Sequence, residues 1–165
     1  MERESCRSLL VLAILLANIC LLGCKSMSGA SPTDSITQLH LITVPVALDL
    51  DGQKGVDGIA VKLYANNAQD PKAVRIREGT VEILMFDGTF SGRTNPPPAL
   101  RTFSYAAPEL RLREFNSKIG YGYDFSLRWE TNRPTQRIMS VAARFTAPDG
   151  RGVTSRPSSV TVLDK

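Results

Sequence analysis

Three carboxylates stand close together in Asp49-Leu50-Asp51-Gly52-Gln53-Lys54-Gly55-Val56-Asp57-Gly58, at relative positions 1, 3 and 9. Oxygen ligands spaced in this way can wrap a hard cation, and the spacing is part of that of a calcium loop. However, Gln53 and Lys54 stand where such a loop places an acid and its turn glycine, and its twelfth position is Ala60. A Gly/Asp turn joining two strands has the same composition without any metal. A turn is therefore the expected role of Asp49, Asp51 and Asp57, with calcium as the alternative. Histidine chemistry would rest on His40, the one histidine of the chain. Without a second ligand or a positioned base it is expected to be an exposed residue near a strand start, and no Ser or Thr has a recognisable activating partner. Glu78, Glu82, Asp124 and Glu130 leave paired-carboxylate hydrolysis of a carbohydrate as the remaining enzyme chemistry, although carboxylates on strand faces are usually solvated. Tyr121, Tyr123, Phe125 and Trp129 could stack on sugar rings, but they share one face with Leu127 and are expected to be core, with Trp129 at the strand end as the exception. Gly120-Tyr121-Gly122 has neither the preceding buried strand nor the following helix that a phosphate-binding loop needs.

The remaining reactive group is a thiol. Arg3 and Arg7 precede an apolar run from Leu9 to Leu22 that only Asn18 interrupts, the charged-then-apolar order of a secretory signal. The run falls short of the roughly 20 residues a bilayer span requires. Leu21-Leu22-Gly23-Cys24 follows directly and resembles the lipobox of bacterial lipoproteins: an aliphatic residue, a tolerant position, a small residue and cysteine. That resemblance implies a diacylglyceryl thioether on Cys24, cleavage between Gly23 and Cys24, and fatty acylation, palmitate for example, of the new amino terminus. Each buried methylene contributes about 0.8 kcal/mol, so two or three chains make the attachment effectively permanent. Lys25 follows where an aspartate would imply retention at the inner membrane, so the resemblance implies delivery to the outer membrane. Two alternatives stay open: an ordinary signal cut after Ser28-Gly29-Ala30, and an uncleaved anchor. Cys6 and Cys20 leave with the signal, so Cys24 is the sole mature thiol and no disulfide is expected.

These residues need elements to position them. The expected organisation is a signal peptide over 1–23, a lipidated flexible tether over 24–37 and a domain over 38–165. Lys25 to Thr37 is rich in Ser, Gly, Thr and Pro, and at a coil's dimensions it spans about 20 Å on average. Beyond it, period-two alternation predicts strands. Ile42, Val44, Val46, Leu48 and Leu50 mark a strand along 39–50; Ile59, Val61 and Leu63 along 58–65; and Val81, Ile83 and Met85 along 79–87. The clearest strand is Tyr121 to Glu130, followed by Met139, Val141, Ala143 and Phe145 along 137–147. Pro148-Asp149-Gly150 should turn that last strand into a partner over 151–163, which Pro157 marks as an edge or as bulged. Asn95 to Ala99 must be a loop, Leu100 to Tyr105 fits a short strand, and Pro108 opens a short helix near 108–116. Val141 to Val162 resembles the closing hairpin of immunoglobulin-like and fibronectin-type-III-like modules. The fold class expected is therefore all-β, an antiparallel β-sandwich of immunoglobulin-like architecture without the paired cysteines and tyrosine corner of a true immunoglobulin domain.

Charge and composition bound the function. The net charge is +4, unchanged when Glu2, Arg3, Glu4 and Arg7 leave together, and the arginines are scattered, which argues against a nucleic-acid partner. Taken together, a lipid anchor and a strand-rich domain without a catalytic motif point to a non-catalytic binding or structural module of the bacterial cell envelope. Its expected partners are the membrane through the lipid and an envelope protein or wall polymer. No cofactor is expected beyond the lipid on Cys24, and a carbohydrate-directed hydrolase is the alternative.

Overall fold

Alternation of apolar and polar residues is realised as nine strands in a computed structural model that describes residues 35–91 and 96–163. The signal segment, the lipobox with Gly23 and Cys24, and the tether up to Asp34 lie outside the described residues. The strands are β1 (Gln38–Thr43), β2 (Gly58–Asn66), β3 (Thr80–Asp87), β4 (Arg101–Ala106), β5 (Glu114–Ser117), β6 (Gly120–Arg128), β7 (Ile138–Thr146), β8 (Gly152–Thr154) and β9 (Ser158–Thr161). One helix, α1 (Ala107–Arg111), joins β4 to β5. The pairing between strands is antiparallel in two sheets. One has the order β1-β2-β6-β5; the other has the order β4-β3-β7, with β8 and β9 both on the far side of β7. The chain is thus an all-β sandwich.

The inner faces meet in one core. Ile59, Val61 and Leu63 of β2 and Tyr123, Phe125 and Leu127 of β6 face Val81, Ile83 and Met85 of β3 and Met139, Val141 and Ala143 of β7. Each set falls on alternate positions, because successive side chains of a strand point to opposite sides. Leu110 of α1 and Ile76 of the β2–β3 connection close the core at one end, and Trp129 closes it at the other.

The expected strand along 39–50 is corrected in both length and face. Leu39 is buried and Leu41 packs against the core, whereas Ile42, Val44 and Val46 are exposed. Pro45 has no N–H for the ladder, so continuous pairing with β2 stops at the bond from Val44 N–H to the Ala60 carbonyl, and only Leu48 rejoins β2 beyond it, exchanging bonds with Gly58. The chain then crosses to the other sheet, where Ala47 donates to Thr161 and Thr161 donates to the Pro45 carbonyl. The expected helix over 108–116 is shorter: it ends at Arg111, and Glu114 already begins β5. Pro108 in the first turn and the Glu109 carboxylate, which accepts the Ala106 N–H at 2.8 Å, fix its start. At the other margin of the fold, the last strand is bulged as expected. Arg144 opposes Thr154 while Val141 opposes Ser158, so three steps along β7 match four on its partner. Ser155 fills the gap, its hydroxyl accepting the Ala143 N–H.

Candidate functional site

The acidic run 49–58 lies between the crossover and β2, and two glycines with positive φ, Gly52 and Gly55, make its reversal. Asp49, Asp51 and Asp57 come together there, with one carboxylate oxygen of each within 4.8 Å of the others. The run's own backbone occupies part of that acceptor capacity. Asp49 accepts the Gly52 N–H at 2.7 Å, Asp51 the Gln53 N–H at 2.9 Å, and Asp57 the Leu50 N–H at 2.6 Å. Arg128, at the end of β6, then enters between the two nearer carboxylates. Its guanidinium lies 2.6 Å from Asp51 Oδ2 and 2.7 Å from Asp57 Oδ2, the latter an ion pair rather than an aligned hydrogen bond. Nothing local in the sequence marks Arg128 as a partner of this turn. It reaches the turn because β6 pairs with β2 so that Arg128 opposes Gly58, a contact between residues far apart in the chain.

The other carboxylates are dispersed. Glu82 pairs with Arg144 on the outer face of the β4-β3-β7 sheet, Asp124 lies 4.0 Å from Lys62 on the outer face of the other, and Glu130 pairs with Arg101 beyond the end of β6. Glu78 is exposed in the β2–β3 connection. Glu82 and Asp124 therefore face away from each other across the whole sandwich, and none of the four lines the concavities described below.

The aromatic row divides differently from expectation. Trp129, the expected exception, is 1% exposed. Tyr123 and Phe125 are core as well, and the Tyr123 hydroxyl accepts the Ile76 N–H at 2.6 Å, tying the β2–β3 connection to the core. Burial pushes that phenol above its ordinary range. Tyr121 is the half-buried member, with the Arg75 guanidinium 4.1 Å from its ring centre. A different aromatic pair lies outside: Tyr64 and Phe115 meet edge to face at 5.8 Å above Gly122, whose missing side chain leaves room for both rings.

Two larger concavities remain. One, of about 850 Å³, lies on the outer face of the β4-β3-β7 sheet, floored by Leu84, Phe86 and Ala142 and flanked by Pro96, Pro97 and Arg156. The other, of about 810 Å³, runs along β1 from Gln38 to Ile42, includes the exposed His40, and is bounded by Tyr64, Ile119 and the segment from Thr154 to Ser158. Because Val44 bonds to β2, the two-residue period turns the N–H and C=O groups of Leu39 and Leu41 away from β2 toward this concavity. No protein-family model matches the chain, and no curated protein matches it.

Proposed function

We infer that the chain is a lipid-tethered module of the bacterial cell envelope that binds an envelope protein or wall polymer without catalysing a reaction. The observation that carries this is the placement of Leu21-Leu22-Gly23-Cys24 directly after the apolar run, where thioether formation and cleavage require it. Lys25 favours the outer membrane as destination. An immunoglobulin-like sandwich agrees with a binding role, since such scaffolds present strand edges and loops rather than a set reaction centre. The β1 edge supports binding in particular. Unpaired backbone groups beside a groove are what an extended chain uses when it adds a strand to a sheet.

A carbohydrate-directed hydrolase is the less favoured reading, because it needs two carboxylates facing one cleft at about 5–10 Å. Glu82 and Asp124 lie on opposite faces, and each has a cation beside it.

Replacing Cys24 with Ser decides the anchor. Fractionated cells should move the protein out of the membrane fraction, block processing at residue 23 and abolish incorporation of labelled palmitate. A variant that stays in the membrane and is processed normally would overturn the lipid-tether reading.

A further inference from the structure

The tether enters the domain at the end of the sandwich where β1 begins, and Thr37 N–H bonds the Asn66 carbonyl at the close of β2. The same end carries the β2–β3 connection and the β5–β6 turn. These two are bound together, Ala73 donating to the Ile119 carbonyl and Tyr121 donating to the Ala73 carbonyl. Between them lies a concavity of about 500 Å³ whose wall includes Lys72, Arg75, Arg77 and Lys118. Arg75 is committed, with two hydrogen bonds to Glu114 and its plane on Tyr121. Lys72, Arg77 and Lys118 are exposed and make no ion pair among the described residues. Asp70 is the acid on the wall, and its carboxylate already accepts the Lys72 N–H. Beside Lys118 at the turn, Ile119 is 55% exposed. Three uncommitted cations around an apolar tip form a surface suited to phosphate headgroups with acyl chains beneath them.

We propose that this end of the sandwich docks on anionic phospholipid headgroups through Lys72, Arg77 and Lys118, with Ile119 entering the interface. This rests on the lipid-tether reading and deepens it by giving the domain an orientation. A tether averaging about 20 Å keeps the entry end near the bilayer. The far end, with Asp49 and Asp51, lies a further strand length away, about 30 Å for the nine residues of β2. Screening over about 8 Å at physiological salt confines attraction to the end that touches the surface. The cations therefore sit at the end where the tether can use them.

The test uses the full gene product, matured and lipidated in its host and reconstituted into phosphatidylcholine bilayers with or without about one third phosphatidylglycerol, the anionic lipid of the surface-charge argument. An environment-sensitive dye is placed at Asn116→Cys beside the concavity, or at Gln53→Cys at the far end. Lipid-borne quenchers should reach the dye at 116 several-fold more than the dye at 53 in the anionic bilayers. The difference should vanish in pure phosphatidylcholine, at high salt, and in the K72E/R77E/K118E variant, while that variant stays membrane-attached. Equal quenching at both sites, or quenching at 116 that ignores bilayer charge and the triple variant, overturns the docking surface. Binding of a soluble anionic wall polymer to this end, without quenching in the anionic bilayers, also overturns it and assigns the cations to the polymer. Intact mass separately reports lipid on Cys24, so failure of the anchor and failure of docking are read independently.

Discussion

At the scale of single residues, Arg128 does at the acidic turn what a bound cation would otherwise do. Its guanidinium brings positive charge to Asp51 and Asp57, and the turn's own N–H groups hold one oxygen of each of the three carboxylates. A hard cation would have to displace Arg128, and with one oxygen of each carboxylate held by the turn's N–H groups it would find three free carboxylate oxygens against the six to eight calcium takes. The protein is therefore expected to melt at the same temperature in calcium and in chelator, as followed by circular dichroism. Arg128→Ala should lower stability by about 0.5–1 kcal/mol, the range for a half-exposed pair discounted for solvent screening. A rise in melting temperature with calcium would show that Arg128 is not the cation of this turn. The acids and their turn role were legible, because Asp and Gly in alternation specify a reversal wherever they occur. Arg128 was not, because its partner is set by strand pairing across most of the domain. Trp129 shows the same limit. A strand-end position reads as exposed, yet here the Asp57 carbonyl accepts the Trp129 N–H and holds the residue against the core.

Among the elements, inward positions were legible wherever a strand runs straight, as in β2, β3, β6 and β7, since the period of two needs no knowledge of partners. β1 departs from the alternation because apolar residues occupy both of its parities. Leu39 and Leu41 face inward, while Ile42, Val44 and Val46 precede or take part in a crossover that Pro45 imposes. The β5–β6 turn carries a prediction at this scale. Gly120 has φ +108°, and a Cβ there would lie 2.3 Å from the Ala73 carbonyl oxygen and 2.6 Å from its nitrogen, backbone atoms that cannot step aside. Gly150 in the β7–β8 turn has φ +85° but nothing within 4 Å of the added atom. Gly150→Ala should cost about 1–2 kcal/mol, the price of a left-handed conformation alone. Gly120→Ala should exceed it by about 1–3 kcal/mol of further strain and part the β5–β6 turn from the β2–β3 connection. Chemical denaturation of both variants measures the difference. Equal losses would mean that the close approach at Ala73 relaxes freely.

For the whole molecule, fold class was legible but strand number and order were not: β5 lies where a helix was expected, the last strand divides into β8 and β9, and β2 beside β6 and β3 beside β7 are pairings between distant segments that no local pattern encodes. What holds those pairings is the apolar layer between the sheets, since no cysteine lies among the described residues to close a disulfide across them. Phe125 stands at the centre of that layer, fully buried in β6, its ring 4.9 Å from that of Tyr105 on the opposite sheet. Truncation to Ala removes the contact between sheets and leaves a cavity, a change that costs about 3–5 kcal/mol. Domains of this size are stable by only about 5–15 kcal/mol, so one substitution would remove a large share of the total. Phe125→Ala should accordingly lower the denaturation midpoint strongly while preserving a single cooperative transition, because the two sheets share one core and neither can persist alone. Urea unfolding followed by Trp129 fluorescence and by circular dichroism should give coincident curves in both proteins. Curves that separate in the variant would mean that one sheet holds its structure without the other, and that the interlayer packing is not what makes the sandwich a unit.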